Sequence, residues 1–180
     1  MRFLKKTISI LGIIIIFFVL YFIQINFFSW FNIAGVKPNL FVVLVLCTGL
    51  YIGKYWAAPI GFIIGIYLDL LTGNQIGIGA LSYAVIGFYG GYFDKNFSKE
   101  SKLTILLMVA GSTTFFEIVV YFYNIIRNAI PLEFLGFIKI LLIEVVFNVL
   151  LTIIIYPIIK MFGGFCESTF KEKKFSTRYI

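Results

Sequence analysis

Between Ile8 and Phe28 the chain carries no charged residue, and Gln24 and Asn26, near the end of the run, interrupt its apolar character. A helix needs about 20 consecutive apolar residues to cross a hydrocarbon core. Further apolar runs follow to Ile159, separated by short polar breaks. Charged residues make up 13% of the chain and hydrophobic ones 61%. A soluble domain carries about 25% charged residues, so this chain lacks the polar surface to cover a water-soluble globule. An all-α membrane protein is expected, with length for one six-helix transmembrane bundle.

The basic start at Arg2, Lys5 and Lys6, followed by the Ile8–Phe28 run, looks like a signal peptide. Its core is longer than such a peptide uses and no small-x-small cleavage site follows, so a retained first helix is expected. Pro38 suits the first turn of a second helix, Asn39 to Ile52. Pro59 opens a third over Ala57 to Leu71, and a fourth runs from Ile78 to Phe93. The fifth covers Leu103 to Ile126. The sixth covers Leu135 to Ile159, with Pro157 close to its end. Helices two and three are short for a span, which leaves a re-entrant hairpin as the alternative to six crossings. Residues 1–160 thus form the transmembrane domain and 161–180 a basic cytoplasmic tail.

Glycine falls at Gly61, Gly65, Gly73 and Gly77, and Asp69 fills the gap in this every-fourth-residue series. Four residues turn a helix through about 400°, so such positions share one slowly drifting face. A smooth glycine face lets another backbone approach closely. Gly87 and Gly91 repeat the spacing beyond a turn at Gly73-Asn74. Two tightly packed helices are expected, with Asp69 at or near their contact.

The formal net charge is +7. In a membrane protein basic residues gather on the cytoplasmic side, so nucleic acid is not an expected partner. With six crossings and an inner N-terminus, twelve basic residues lie inside and three (Lys37, Arg127 and Lys139) outside. Both termini are therefore expected in the cytoplasm. The chain has no histidine and two cysteines. That excludes a histidine-based catalytic pair and a zinc site of the usual nitrogen and sulfur ligands. No cofactor motif is present. Cys47 lies mid-way in an apolar run and Cys166 in the basic tail, so a disulfide between them is not expected.

The groups able to carry chemistry are three carboxylates, each of which needs a reason to sit in an apolar run. Asp69 reads as an ion or substrate ligand, or, the favoured reading, as a structural acceptor for N–H groups and side chains in the turn at Thr72 to Gln75. Glu117 lies beside Ser112 to Thr114. Glu144 and Asn148 are four apart and share a face. Glu117 and Glu144 form either a proton or cation relay or interhelical hydrogen-bonding groups. Nothing specifies a nucleophile.

The chain also carries Lys37-Pro38-Asn39-Leu40, then Gly61-x-x-x-Gly65-x-x-x-Asp69-Leu70-Leu71-Thr72-Gly73, Gly77-x-Gly79-Ala80-Leu81 and Gly87-Phe88-Tyr89-Gly90-Gly91. This pattern resembles the rod shape-determining MreD family. The resemblance implies a fold similar to the six-helix substrate-binding component of energy-coupling-factor transporters. It implies a non-enzymatic scaffold in the bacterial plasma membrane, within the cell-wall elongation complex. The implied partners are MreC and, through it, the actin-like MreB and the peptidoglycan synthases, in contact with membrane lipid. Pro38, Gly65, Asp69, Gly73, Gly77 and Gly87 match the family pattern and are expected in packing and turns. The alternative on the same fold is a vitamin-binding transporter component. Helix one argues against it, because a single Gly12 gives it no small-residue motif for docking a transport module.

Overall fold

The computed structural model describes residues 2–73, 77–93, 101–128 and 133–170. The expected turn at Asn74 and Gln75, the polar linker 94–100, the Pro131 loop and the basic tail 171–180 lie outside the described residues. Those described form six helices and no strand: α1 (Arg2–Trp30), α2 (Leu40–Ile52), α3 (Lys54–Thr72), α4 (Ile78–Phe93), α5 (Lys102–Asn128) and α6 (Phe134–Phe170). Of these, α1, α3, α5 and α6 are long and apolar enough to cross a membrane. At 13 and 16 residues, α2 and α4 are shorter. The short helices are therefore two and four, where the sequence suggested two and three.

The third helix gains its length at its start. A single residue, Gly53, separates α2 from α3, and its φ of 96° lets the chain turn at once. Helix α3 then begins at Lys54, and Pro59 sits inside it. The hydrogen bond that Pro59 cannot donate falls at the exposed entry of the helix, beside Tyr55. The last helix also departs from expectation. Pro157 does not end α6, which continues to Phe170. Proline is tolerated within apolar membrane helices when neighbours hold the segment. Here Phe162 lies on Gly12 of α1, Gly163 lies on Tyr51 of α2, and Cys166 packs with Ile13 and Ile52. Cys166 thus belongs to a buried helix face and not to a tail.

Helix α2 is the centre of the bundle, and all five other helices touch it. Every residue of α2 except Leu44 is buried. A helix that is apolar all round has no solvent stripe to present, so it is driven to the middle. Its length suits that place, because a central helix shielded by longer neighbours need not meet lipid headgroups at both ends. The core runs from Val42, Leu46 and Leu50 out to Ile86 on α4 and Ile105 and Val109 on α5. Exposed Phe, Leu, Ile and Val side chains cover the outside of α1, α5 and α6, as lipid contact requires.

Candidate functional site

Two polar or close-packed assemblies stand out. The first is the seam of α3 against α4. These helices run antiparallel with glycines meeting the opposite backbone. A Cβ on Gly61 would lie 2.5 Å from the Tyr83 carbonyl oxygen, and one on Gly87 would lie 2.6 Å from that of Ala57. Gly65 faces Ala80, and Gly91 faces Lys54 just as closely. On the other side of α4, a Cβ on Gly90 would lie 2.5 Å from the Leu46 carbonyl oxygen. Gly49 of α2 meets Gly87 and Gly91. No side chain fits at such separations.

Gly73 and Gly77 do not belong to this face. Helix α3 ends at Thr72, and a Cβ at either glycine would meet nothing. They serve the turn instead. Gly73 is left-handed at φ 69° and donates its N–H to the Asp69 carbonyl, 3.0 Å away, closing the helix. Gly77 has φ 106°.

Asp69 is buried at the end of the seam where α3 stops and α4 begins. Its Oδ2 accepts from the backbone N–H of Gly77 at 2.7 Å and of Ala80 at 3.2 Å. Both N–H groups belong to the start of α4, where no intrahelical carbonyl can serve them. A carboxylate there is also favoured by the helix dipole. Among the described residues it acts as a structural acceptor toward the start of α4. The carboxylate presses against Gly79, which explains a glycine there.

The second assembly is a knot of hydrogen bonds around the start of α2. Asn39 caps this helix, its Oδ1 accepting from the Val42 N–H at 3.3 Å. The same oxygen accepts from the Tyr83 hydroxyl of α4 at 3.0 Å. The Asn39 N–H donates to Asn148 Oδ1 of α6 at 2.8 Å, and Asn148 Nδ2 donates to Thr113 Oγ1 of α5 at 3.0 Å. From α1, Gln24 donates to the Pro38 carbonyl and accepts from the Leu40 N–H. Pro38 therefore precedes the cap and is not in the first turn. One turn along the α5–α6 contact, Glu117 and Glu144 face each other. The pair continues the Thr113–Asn148 rung along the α5–α6 contact. Lys139 is exposed and takes no part.

The knot thus joins five helices through side chains that are already engaged with one another. Asn39 and the asparagine-glutamate pair on α6 stand out in the sequence. Gln24, Tyr83 and Thr113 do not stand out there as partners, and no spacing rule could link residues so far apart in the chain.

Two cavities have defined linings. One, of about 550 Å³, opens between the start of α5 and the middle of α6 at Lys102, Tyr156 and Lys160. The other, of about 300 Å³, is an apolar groove between α1, α2 and α6. Neither is lined by Asp69, Glu117 or Glu144. Cys47 and Cys166 are free thiols that both line the second groove, so they share an environment, where the sequence suggested two. Among the described residues no three acidic, cysteine or histidine side chains gather as a metal site.

Comparison with known proteins finds neither a curated protein nor a solved structure that matches the chain. A family model does match, described as rod shape-determining protein MreD, over residues 4–164. That span runs from the start of α1 into the last turns of α6 and takes in both the glycine seam and the polar knot, so the chain belongs to the MreD family of transmembrane proteins that determine rod shape.

Proposed function

We propose that the protein is a non-enzymatic scaffold of the cell-wall elongation complex, binding an MreC-like partner in the membrane. Through that partner it supports the actin-like MreB and the peptidoglycan synthases. The observation that carries this reading is how the buried polar groups are used. Asp69 closes the α3–α4 turn, and Asn39, Asn148, Thr113 and Gln24 tie helix to helix. Groups consumed in this way brace a rigid platform and do not turn over a substrate. Both termini lie in the cytoplasm in this reading, because basic residues favour that side by twelve to three. The six-helix order is compatible with a bundle like the substrate-binding component of energy-coupling-factor transporters.

The test is co-purification in detergent with an MreC-like protein from the same organism. Recovery of a complex of defined stoichiometry is expected. Failure to recover it, combined with tight retention of a vitamin, would reverse the reading in favour of a carrier. Reporter fusions at Ile180 and in the Lys37 loop test the topology independently, with cytoplasmic and external signals expected respectively.

A further inference from the structure

The groove between α1, α2 and α6 is lined by Ile13, Ile16, Leu44, Cys47, Ile159 and Phe162, among others, and its wall is almost wholly apolar. It lies within helices that are apolar enough to sit in lipid. Water has no partners there, and a void in a close-packed interior forfeits dispersion contacts along its lining. The groove therefore needs an apolar occupant. Its lining follows α2 from Leu40 to Ile52, a length of about 20 Å. An extended hydrocarbon chain can lie along an apolar groove of that length.

The inner mouth of the groove adds a charge. Ile13, Ile52 and Cys166 close that end, with Phe162 and Phe170 packed on them. Just beyond, the half-buried Lys6 places its ammonium 5.8 Å from the Trp56 ring centre and 5.9 Å from that of Phe170. Lys6, Trp56 and Phe170 thus gather where α1, α3 and α6 end. Two aromatic rings hold the ammonium in place while leaving its hydrogen-bond donors available. Tryptophan favours the headgroup level of a bilayer. A basic pocket between helices on the cytoplasmic side recognises anionic headgroups.

We propose that this groove is a binding site for an anionic phospholipid of the inner leaflet, with one acyl chain between α1, α2 and α6 and its phosphate on Lys6. The leaflet, though not the chemistry, rests on the topology proposed above. The site does not depend on an MreC-like partner, so it stands or falls separately from the scaffold role.

The test uses the full-length protein in nanodiscs of equal phosphatidylglycerol and phosphatidylcholine, released for native mass spectrometry. Wild type is expected to keep one phosphatidylglycerol in preference to phosphatidylcholine by about fivefold, the effect of one lysine near the surface. Lys6→Gln, at an accessible helix end, should erase that preference. Leu44→Phe, which narrows the groove, should reduce adducts of both lipids while thermal melting stays as in wild type. Equal retention of the two lipids by wild type would overturn the site, as would a preference that survives Lys6→Gln. If Leu44→Phe weakens binding of a co-expressed MreC-like protein, or self-association, while leaving the lipid adducts unchanged, the groove belongs to a helix and the proposal fails.

Discussion

Along α3 and α4 the two backbones touch, whereas on the far side of α2 bulky side chains hold α1 and α6 apart. The seam uses Gly61, Gly65, Gly87 and Gly91, with no room for a methyl group between the helices. The α1 side uses Ile, Val, Leu and Phe, and leaves a groove of about 300 Å³. Lipid is as apolar as leucine, so no hydrophobic force drives helices together inside a bilayer. Close packing and buried hydrogen bonds must supply the association. The seam and the knot have both, while on the α1 side Gln24 ties to the start of α2. One side of the molecule is consequently a rigid core and the other a surface on which something else can complete the packing.

The sharpest way to break this contrast is Gly65→Leu. A Cβ at Gly65 would lie 2.6 Å from the Ala80 nitrogen, which is backbone and cannot swing away. Overpacking of a well-filled core costs about 1–3 kcal/mol, and a displaced helix puts this site at the upper end or beyond. Loss of the monodisperse folded form in detergent chromatography is expected. Wild-type melting of this variant would show that the seam yields. Next comes Asn148→Ala, which strands the Asn39 N–H and the Thr113 hydroxyl in a buried place. Leaving buried polar groups without partners costs about 2 kcal/mol at such a site. A clear fall in melting temperature with retained fold is the expected result, and no shift would detach the knot from stability.

Much of the seam is legible in the sequence. Fourfold spacing of Gly61, Gly65 and Asp69 is a periodic signal, and periodicity survives in one dimension. The same rule overreaches at Gly73 and Gly77, because spacing alone does not reveal that the helix has stopped at Thr72. The continuation of α6 is hidden for the opposite reason. Pro157 reads locally as lying close to a stop, and contacts with Gly12 and Tyr51 carry the helix past it. The meeting of Glu117 with Glu144, and of Tyr83 with Asn39, joins different helices and leaves no mark on any one of them. A groove is harder still to read, being space that no residue occupies.

A milder probe of the seam is Asp69→Asn. The amide keeps an oxygen for the Gly77 and Ala80 N–H groups but surrenders the charge. Charge-assisted hydrogen bonds are about twice as strong as neutral ones, so a loss of about 1 kcal/mol is expected. Collapse of the fold in this variant, with Gly65→Leu tolerated, would make the carboxylate, and not backbone contact, the chief support of the seam.

The smallest effect is expected at Gly12→Ala on the loose side, and this substitution is the control for all the others. Its new Cβ would lie 2.7 Å from the Phe162 ring, as tight in distance as several contacts of the seam. Distance alone would therefore predict similar damage. The atom met is the far end of a side chain that borders an open groove, so Phe162 can rotate into space that Ala80 does not have. Alanine also favours a helix over glycine by up to about 1 kcal/mol, which offsets what the ring movement costs. A change within about 0.5 kcal/mol is expected in thermal melts of the detergent-solubilised protein. If Gly12→Ala instead destabilises as strongly as Gly65→Leu, the α1 side is packed as firmly as the seam, and rigidity is spread over the whole bundle.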